Sequence, residues 1–159
     1  MKPHSPQGVL ITGVFGSGKS SVAAEITYLL EQQDELYALL DLDYFGWVGD
    51  HATGQAMMLR NLAAVAGNFR DLGVPTFVAA YFVRDHAVLQ GIREALGVPL
   101  HEIEHRLAAD VTSGRRDDLR DAADSIAASE GVGVEDLLIK NDRPVSEIAH
   151  DVMRWLGWL

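Results

Sequence analysis

The stretch GVLITGVFGSGKS, residues 8–20, decides the fold of this chain. Val9, Leu10 and Ile11 form a short apolar run rich in β-branched residues, the composition of a buried strand. Gly13-Val14-Phe15-Gly16-Ser17-Gly18-Lys19-Ser20 then matches G-x-x-x-x-G-K-[ST] at every fixed position. Ser21, Val22, Ala23, Ala24, Ile26, Leu29 and Leu30 continue with helical character. A strand thus runs into a glycine-rich turn, and the turn into a helix N-terminus, the context this pattern requires. Glycines let the backbone curl so that several N–H groups approach one phosphate chain. The backbone of Gly13, Phe15, Gly16, Ser17, Gly18, Lys19, Ser20 and Ser21 is the candidate cradle. The helix that follows points its free N–H groups and positive dipole end at the same anion. Lys19 is placed to reach the β- and γ-phosphates of a nucleotide, and the Ser20 hydroxyl to ligate Mg²⁺.

Outward from this loop, apolar runs alternate with helical patterns. A helix is expected from about Gly18 to Gln33, and Leu36 to Leu42 reads as a second buried strand. Residues 50–54 read as a loop. Met57, Met58, Leu62, Val65, Phe69 and Leu72 then recur at helical spacing, until Gly73-Val74-Pro75 stops them. Thr76 to Val83 reads as a third strand, and Asp85 as the cap of a helix through Leu96. Gly97-Val98-Pro99 repeats the earlier punctuation and, by analogy, introduces a fourth strand over Leu100 to Leu107. Residues 110–131 are polar and rich in Arg and Asp, a helical surface segment and a candidate lid. Val134 to Lys140 holds the last strand. Pro144 suits the first turn of a closing helix, with Ile148, Ala149, Val152, Met153 and Leu156 as its buried stripe. Strands alternating with helices predict one α/β domain over residues 1–159, with a parallel sheet, right-handed crossovers and a loose tail over 1–7. Functional residues are expected at the carboxyl ends of the strands.

Composition narrows the chemistry. The 159 residues suffice for one domain with a real core. A net charge of −10 argues against a general nucleic-acid binder, which needs a basic surface. No cysteine is present, which excludes disulfides, thiolate metal sites and cysteine nucleophiles. MKPHSPQG has no apolar core of a signal peptide, and no run approaches the length of a membrane span. A cytoplasmic protein with no membrane or nucleic-acid partner is the expectation, either monomer or homodimer.

Several side chains are candidates for more specific roles. Asp41 and Asp43 fall where the second strand ends, and two carboxylates at i and i+2 of an extended chain point the same way. One would hold Mg²⁺, usually through water, and the other would accept a proton from an attacking hydroxyl; the alternative is a solvated loop. Arg115, Arg116 and Arg120 lie in the polar segment, either closing over a phosphoryl group or pairing with Asp117, Asp118, Asp121 and Asp124. Arg84, after the third strand, either holds an anionic acceptor or is a surface residue. The third strand has no acid at its apolar end, and Asp85 comes two residues late for a Walker B aspartate. Trp47 either walls an acceptor site or belongs to the core. The loop from Asn141 through Arg143 to Pro144 would line an adenine pocket; Lys140-Asn141-Asp142 has the wrong order for guanine recognition. His101-Glu102-Ile103-Glu104-His105 matches H-E-x-x-H, but zinc binding needs both histidines on one helix face; this segment reads as a strand after Pro99, with a helix as the alternative because Leu100, Ile103 and Leu107 also fit helical spacing, and no clear third ligand is present.

With GVFGSGKSS, the acidic pair in LDLDYFGW and an Arg-rich segment before the last strand and helix, the chain resembles the small P-loop kinases of metabolites. These are the shikimate, gluconate, adenylylsulfate and chloramphenicol kinases, related in fold to nucleoside monophosphate kinases. The resemblance spans most of the length. It implies a three-layer P-loop NTPase fold, a five-stranded sheet ordered 2-3-1-4-5 and an arginine-bearing lid over ATP. It further implies an ATP- and Mg²⁺-dependent phosphotransferase acting on a hydroxyl of a small metabolite. Asp41 or Asp43 then becomes the magnesium-associated or acceptor-binding acid, Arg84 an acceptor-side residue, and Arg115, Arg116 or Arg120 a lid residue. The acceptor region carries the full signature of no one member. The alternative is a P-loop ATPase that acts as a nucleotide-dependent regulatory or binding protein.

Overall fold

The computed structural model describes residues 5–14, 16–107 and 136–159. Strands β1 (Gln7–Thr12), β2 (Tyr37–Asp41), β3 (Thr76–Ala80), β4 (Leu100–Leu107) and β5 (Leu137–Asn141) form one sheet in the order β2-β3-β1-β4-β5, every pair parallel. Parallel neighbours require long crossovers. Helices α1 (Lys19–Glu31), α2 (His51–Asp71) and α3 (His86–Leu96) supply the first three, and α4 (Val145–Leu156) follows the last strand. The architecture is the three-layer α/β fold expected, with the implied strand order.

Alternation along the central strands divides the core in two. Leu10 of β1 and Phe77 and Ala79 of β3 face Met58, Leu62 and Ala66 of α2 and Leu89, Ile92 and Leu96 of α3. Val9, Ile11, Val78 and Ala80 face the other way, onto Val22, Ile26 and Leu30 of α1 and Ile148, Val152 and Met153 of α4. Both faces of β1 and β3 are therefore buried, which is why these strands read as unbroken apolar runs in the sequence.

Several boundaries differ from expectation. Residues 50–54 are not a loop: Asp50 caps α2, its carboxylate accepting the amides of Ala52 (3.1 Å) and Thr53 (3.3 Å), and the helix starts at His51. Those bonds satisfy N–H groups that a helix start leaves free, so the polar run belongs to the helix. β3 ends at Ala80 rather than Val83. The Tyr81 amide still donates to the Ile11 carbonyl (3.1 Å), but the Val83 amide turns to the Thr12 hydroxyl (3.1 Å), replacing the ladder with a side-chain bond. Gln7, expected in the tail, opens β1, its amide bonded to the Pro75 carbonyl at 2.9 Å. β5 runs on to Asn141. The candidate lid, residues 110–131, lies outside the described residues.

β4 carries the H-E-x-x-H stretch as a strand, as expected. At about 3.3 Å per residue, positions 101 and 105 stand ~13 Å apart and cannot share one metal ion. His101 instead meets the edge of the Trp155 ring, centroids 5.7 Å apart.

Candidate active site

Because every strand is parallel, all the carboxyl ends lie along one edge of the sheet, and the candidate residues gather there. The glycine-rich loop leaves β1 from Gly13 and bends through Gly16 (φ 78°) and Gly18 (φ 89°), left-handed backbone that glycine adopts without steric penalty. Gly18 gives α1 no side-chain cap. The Asn141 side chain, at the end of β5, donates to the Ser17 carbonyl at 2.9 Å and fixes the loop from the far side of the sheet. Asn141 thus supports the loop itself. Phe15 lies outside the described residues.

Lys19 is 95% buried by its surroundings, with 5% exposure, and its Nζ lies 3.7 Å from Oδ2 of Asp43. The Ser20 hydroxyl donates to Oδ2 of Asp41 at 2.9 Å. The extended i, i+2 arrangement expected for the two acids is corrected here. Asp41 ends β2, whereas Asp43 lies in a 3₁₀ turn over Leu42–Tyr44, whose start Asp41 caps by accepting the Asp43 amide (3.3 Å). The turn separates their partners, sending one acid to Ser20 and the other to Lys19. Burial holds the Asp43 carboxyl above its ordinary range; Lys19 opposes this and Asp41 adds to it.

The oxygens of Ser20 and Asp41 suit Mg²⁺. Both are hard donors, and their 2.9 Å separation is about the spacing of adjacent oxygens in an octahedron with ~2.0–2.1 Å bonds.

A cavity of about 780 Å³ opens beside the loop. Gly16, Gly18, Lys19, Ser20 and Ser21 line one end with Asp41 and Asp43; Tyr44, Trp47, Val48, Met58 and Phe82 wall the other, with Asp50, His51, Tyr81 and Arg84. Trp47 is 81% exposed, so it is a wall and not core. The Arg84 guanidinium lies 5.4 Å from the centre of the Phe82 ring. Burial, aided by Asp43, pushes the Tyr81 phenol above its usual range. Asp85 is spent on capping α3, accepting the Val88 amide at 2.9 Å. Arg143 does not line the cavity: its Nη1 is 2.7 Å from Asp151 and its Nε 3.5 Å from Asp142. Arg115, Arg116 and Arg120 lie outside the described residues.

Sequence reasoning missed Tyr81, His51 and Met58. Tyr81 was hidden by the expected continuation of β3; its phenol in an otherwise apolar run was the available signal. His51 was hidden by reading the first turn of α2 as loop.

No protein-family model matches the chain, and no curated protein sequence matches it. Solved structures do. The APS kinase of Mycobacterium tuberculosis is 20% identical, with a TM-score of 0.62 over 98% of this chain and 99% of that one. A gluconokinase from Sinorhizobium meliloti 1021 is 16% identical, with a TM-score of 0.63 over 98% and 94%. The tunicamycin resistance protein of Deinococcus radiodurans is 18% identical, with a TM-score of 0.65 over 97% and 96%. In fold, this chain resembles the small P-loop metabolite kinases. The Mycobacterium tuberculosis enzyme has also been solved in complex with AMPPNP and APS; that structure is 21% identical to this chain, with a TM-score of 0.60.

Proposed function

We propose that this protein is an ATP- and Mg²⁺-dependent phosphotransferase that moves the γ-phosphate to a hydroxyl of a small metabolite. The observation that carries the reading is the 3.7 Å approach of Lys19 to Asp43, which joins the phosphate loop to the walled cavity. A phosphate held by Lys19 and an alcohol held near Asp43 would then be neighbours. A loop built only to hold nucleotide has no need of such a cavity at its phosphate end.

In the proposed reaction the backbone of the loop and Lys19 hold the β- and γ-phosphates. The acceptor oxygen attacks the γ-phosphorus in line. A new P–O bond forms as the bond from the γ-phosphorus to the β,γ-bridging oxygen breaks, and ADP departs with that electron pair. Asp43 accepts the hydroxyl proton, a task its raised pKa suits. Ser20 and Asp41 would hold Mg²⁺, which supplies charge neutralisation on the phosphates. Lys19 and, on the resemblance, an arginine among Arg115, Arg116 and Arg120 meet the charge spread over the transferring group.

The test follows γ-labelled ATP in the presence of Mg²⁺ and pooled small alcohols, with Lys19→Ala as the control. Label is expected on an organic product, and no transfer is expected from the folded variant. Transfer that survives in folded Lys19→Ala overturns the mechanism. Label found only in inorganic phosphate, indifferent to every pool, favours the regulatory ATPase.

A further inference from the structure

We infer that Asn141 is a positioning residue for the phosphate chain: by holding the Ser17 carbonyl it turns the peptide between Ser17 and Gly18 so that the Gly18 amide faces the incoming phosphates. This deepens the nucleotide-binding half of the phosphotransferase reading and rests on it.

The first observation is that this one peptide depends on a distant side chain. The peptide before it is fixed within the loop, because the Ser17 amide donates to the Val14 carbonyl at 3.1 Å. The peptide after it is fixed by α1, because the Gly18 carbonyl accepts the Val22 amide at 3.0 Å. Between them, no backbone amide among the described residues bonds to the Ser17 carbonyl; its partner is Nδ2 of Asn141, at 2.9 Å. The Ser17 hydroxyl gives no help: it is fully buried and bonds to nothing among the described residues. Gly18 gives none either. At φ 89° it sits in backbone whose mirror image glycine adopts about as readily, so the loop itself does not decide which way the peptide faces.

The second observation is direction. In a trans peptide the carbonyl and the amide point opposite ways. A Ser17 carbonyl drawn to Asn141 therefore sends the Gly18 N–H away from Asn141. Gly18 lines the cavity, whereas Ser17 and Asn141 do not. Among the described residues that N–H has no acceptor, which leaves it for a ligand. Asn141 is itself held on both sides. Its backbone stands opposite Leu107 in the ladder of β4 and β5, and Arg143, two residues on, is tied to Asp151 of α4 at 2.7 Å. A donor anchored to the sheet thus orients an amide that its own loop leaves free to turn.

The experiment measures binding of AMPPNP and of inorganic tripolyphosphate, each with Mg²⁺, to the full chain by calorimetry. Asn141→Leu keeps the shape of the side chain and removes the donor; Asn141→Ala removes it without filling the space; Asn141→His returns a ring N–H near the same place. Both donorless variants are expected to bind each probe about tenfold more weakly, by the same factor for the two probes, and Asn141→His to recover most of the loss. In isotopically labelled protein the Gly18 amide resonance should move when tripolyphosphate saturates the wild type, and far less when it saturates Asn141→Leu. A loss confined to AMPPNP places Asn141 at the adenine and overturns the inference. Unchanged binding of both probes, or a Gly18 shift that survives the substitution, overturns it too. The two readings fail separately. A wild type that binds neither probe at millimolar concentration sinks the nucleotide reading and this inference with it; a wild type that binds both, matched by its donorless variants, sinks this inference alone.

Discussion

Asp43 sits where burial disfavours its charge, and the nearby Lys19 only partly relieves this. The folded protein therefore holds a proton at Asp43 more readily than the unfolded chain does. The sign follows by linkage: protonation stabilises the fold, so this residue adds stability as pH falls through its raised folded-state pKa and adds none well above it. Its proposed task requires the opposite state. Activity should fall on acidification through a limb that lies above the range of an ordinary aspartate. Asp43→Asn should abolish that limb in kcat/KM and lower kcat by roughly 10²–10⁴-fold. The melting temperature at neutral pH should not fall, because the substitution removes a charge the fold holds at a cost. A variant that loses stability but keeps turnover would contradict both halves.

At the scale of the element, α2 meets the cavity through its N-terminal turns. Gly54 lies there with no room for a Cβ, because the Gly46 carbonyl occupies the space. In a free helix Gly→Ala gains about 0.8–1.0 kcal/mol. Here Gly54→Ala must push the Trp47 segment away, so the helix should survive while the wall shifts. The expected result is a loss of about ten- to a hundredfold in kcat/KM for the acceptor. KM for ATP should change little, and steady-state kinetics against each substrate in turn separates the two. Elements also show what was legible in the chain. The glycine-rich loop could be read because its fixed residues form a short local pattern, with glycines where the backbone turns left-handed at Gly16 and Gly18, whatever surrounds it. β1 and β3 could be read because burial on both faces enforces unbroken apolar runs. The start of α2 could not, because His51, Ala52, Thr53 and Gly54 lack apolar periodicity and only the carboxylate of Asp50 commits them to helix. The division of labour between Asp41 and Asp43 could not either. It depends on the 3₁₀ turn between them, and nothing in Leu42 announces that turn.

At the scale of the molecule, two cores share one sheet, so damage to one is transmitted through β1 and β3 to the other. Ile148, in the layer formed by α1 and α4, is 1% exposed. Ile148→Ala should cost about 2–5 kcal/mol, a fall of roughly 4–20 °C in melting temperature, in a single transition by calorimetry. The same connectivity gives the hydrogen bond from Asn141 to Ser17 a meaning in time. The two residues are 124 positions apart. Protein synthesis proceeds at about 5–20 residues per second, so the loop made first waits roughly 6–25 s for the side chain that steadies it. The central strand β1 must also wait for β3 and β4, its neighbours on either side. A nascent chain on the ribosome thus carries its glycine-rich loop in unfinished form, and the proposed affinity for nucleotide would mature only as β5 emerges and docks.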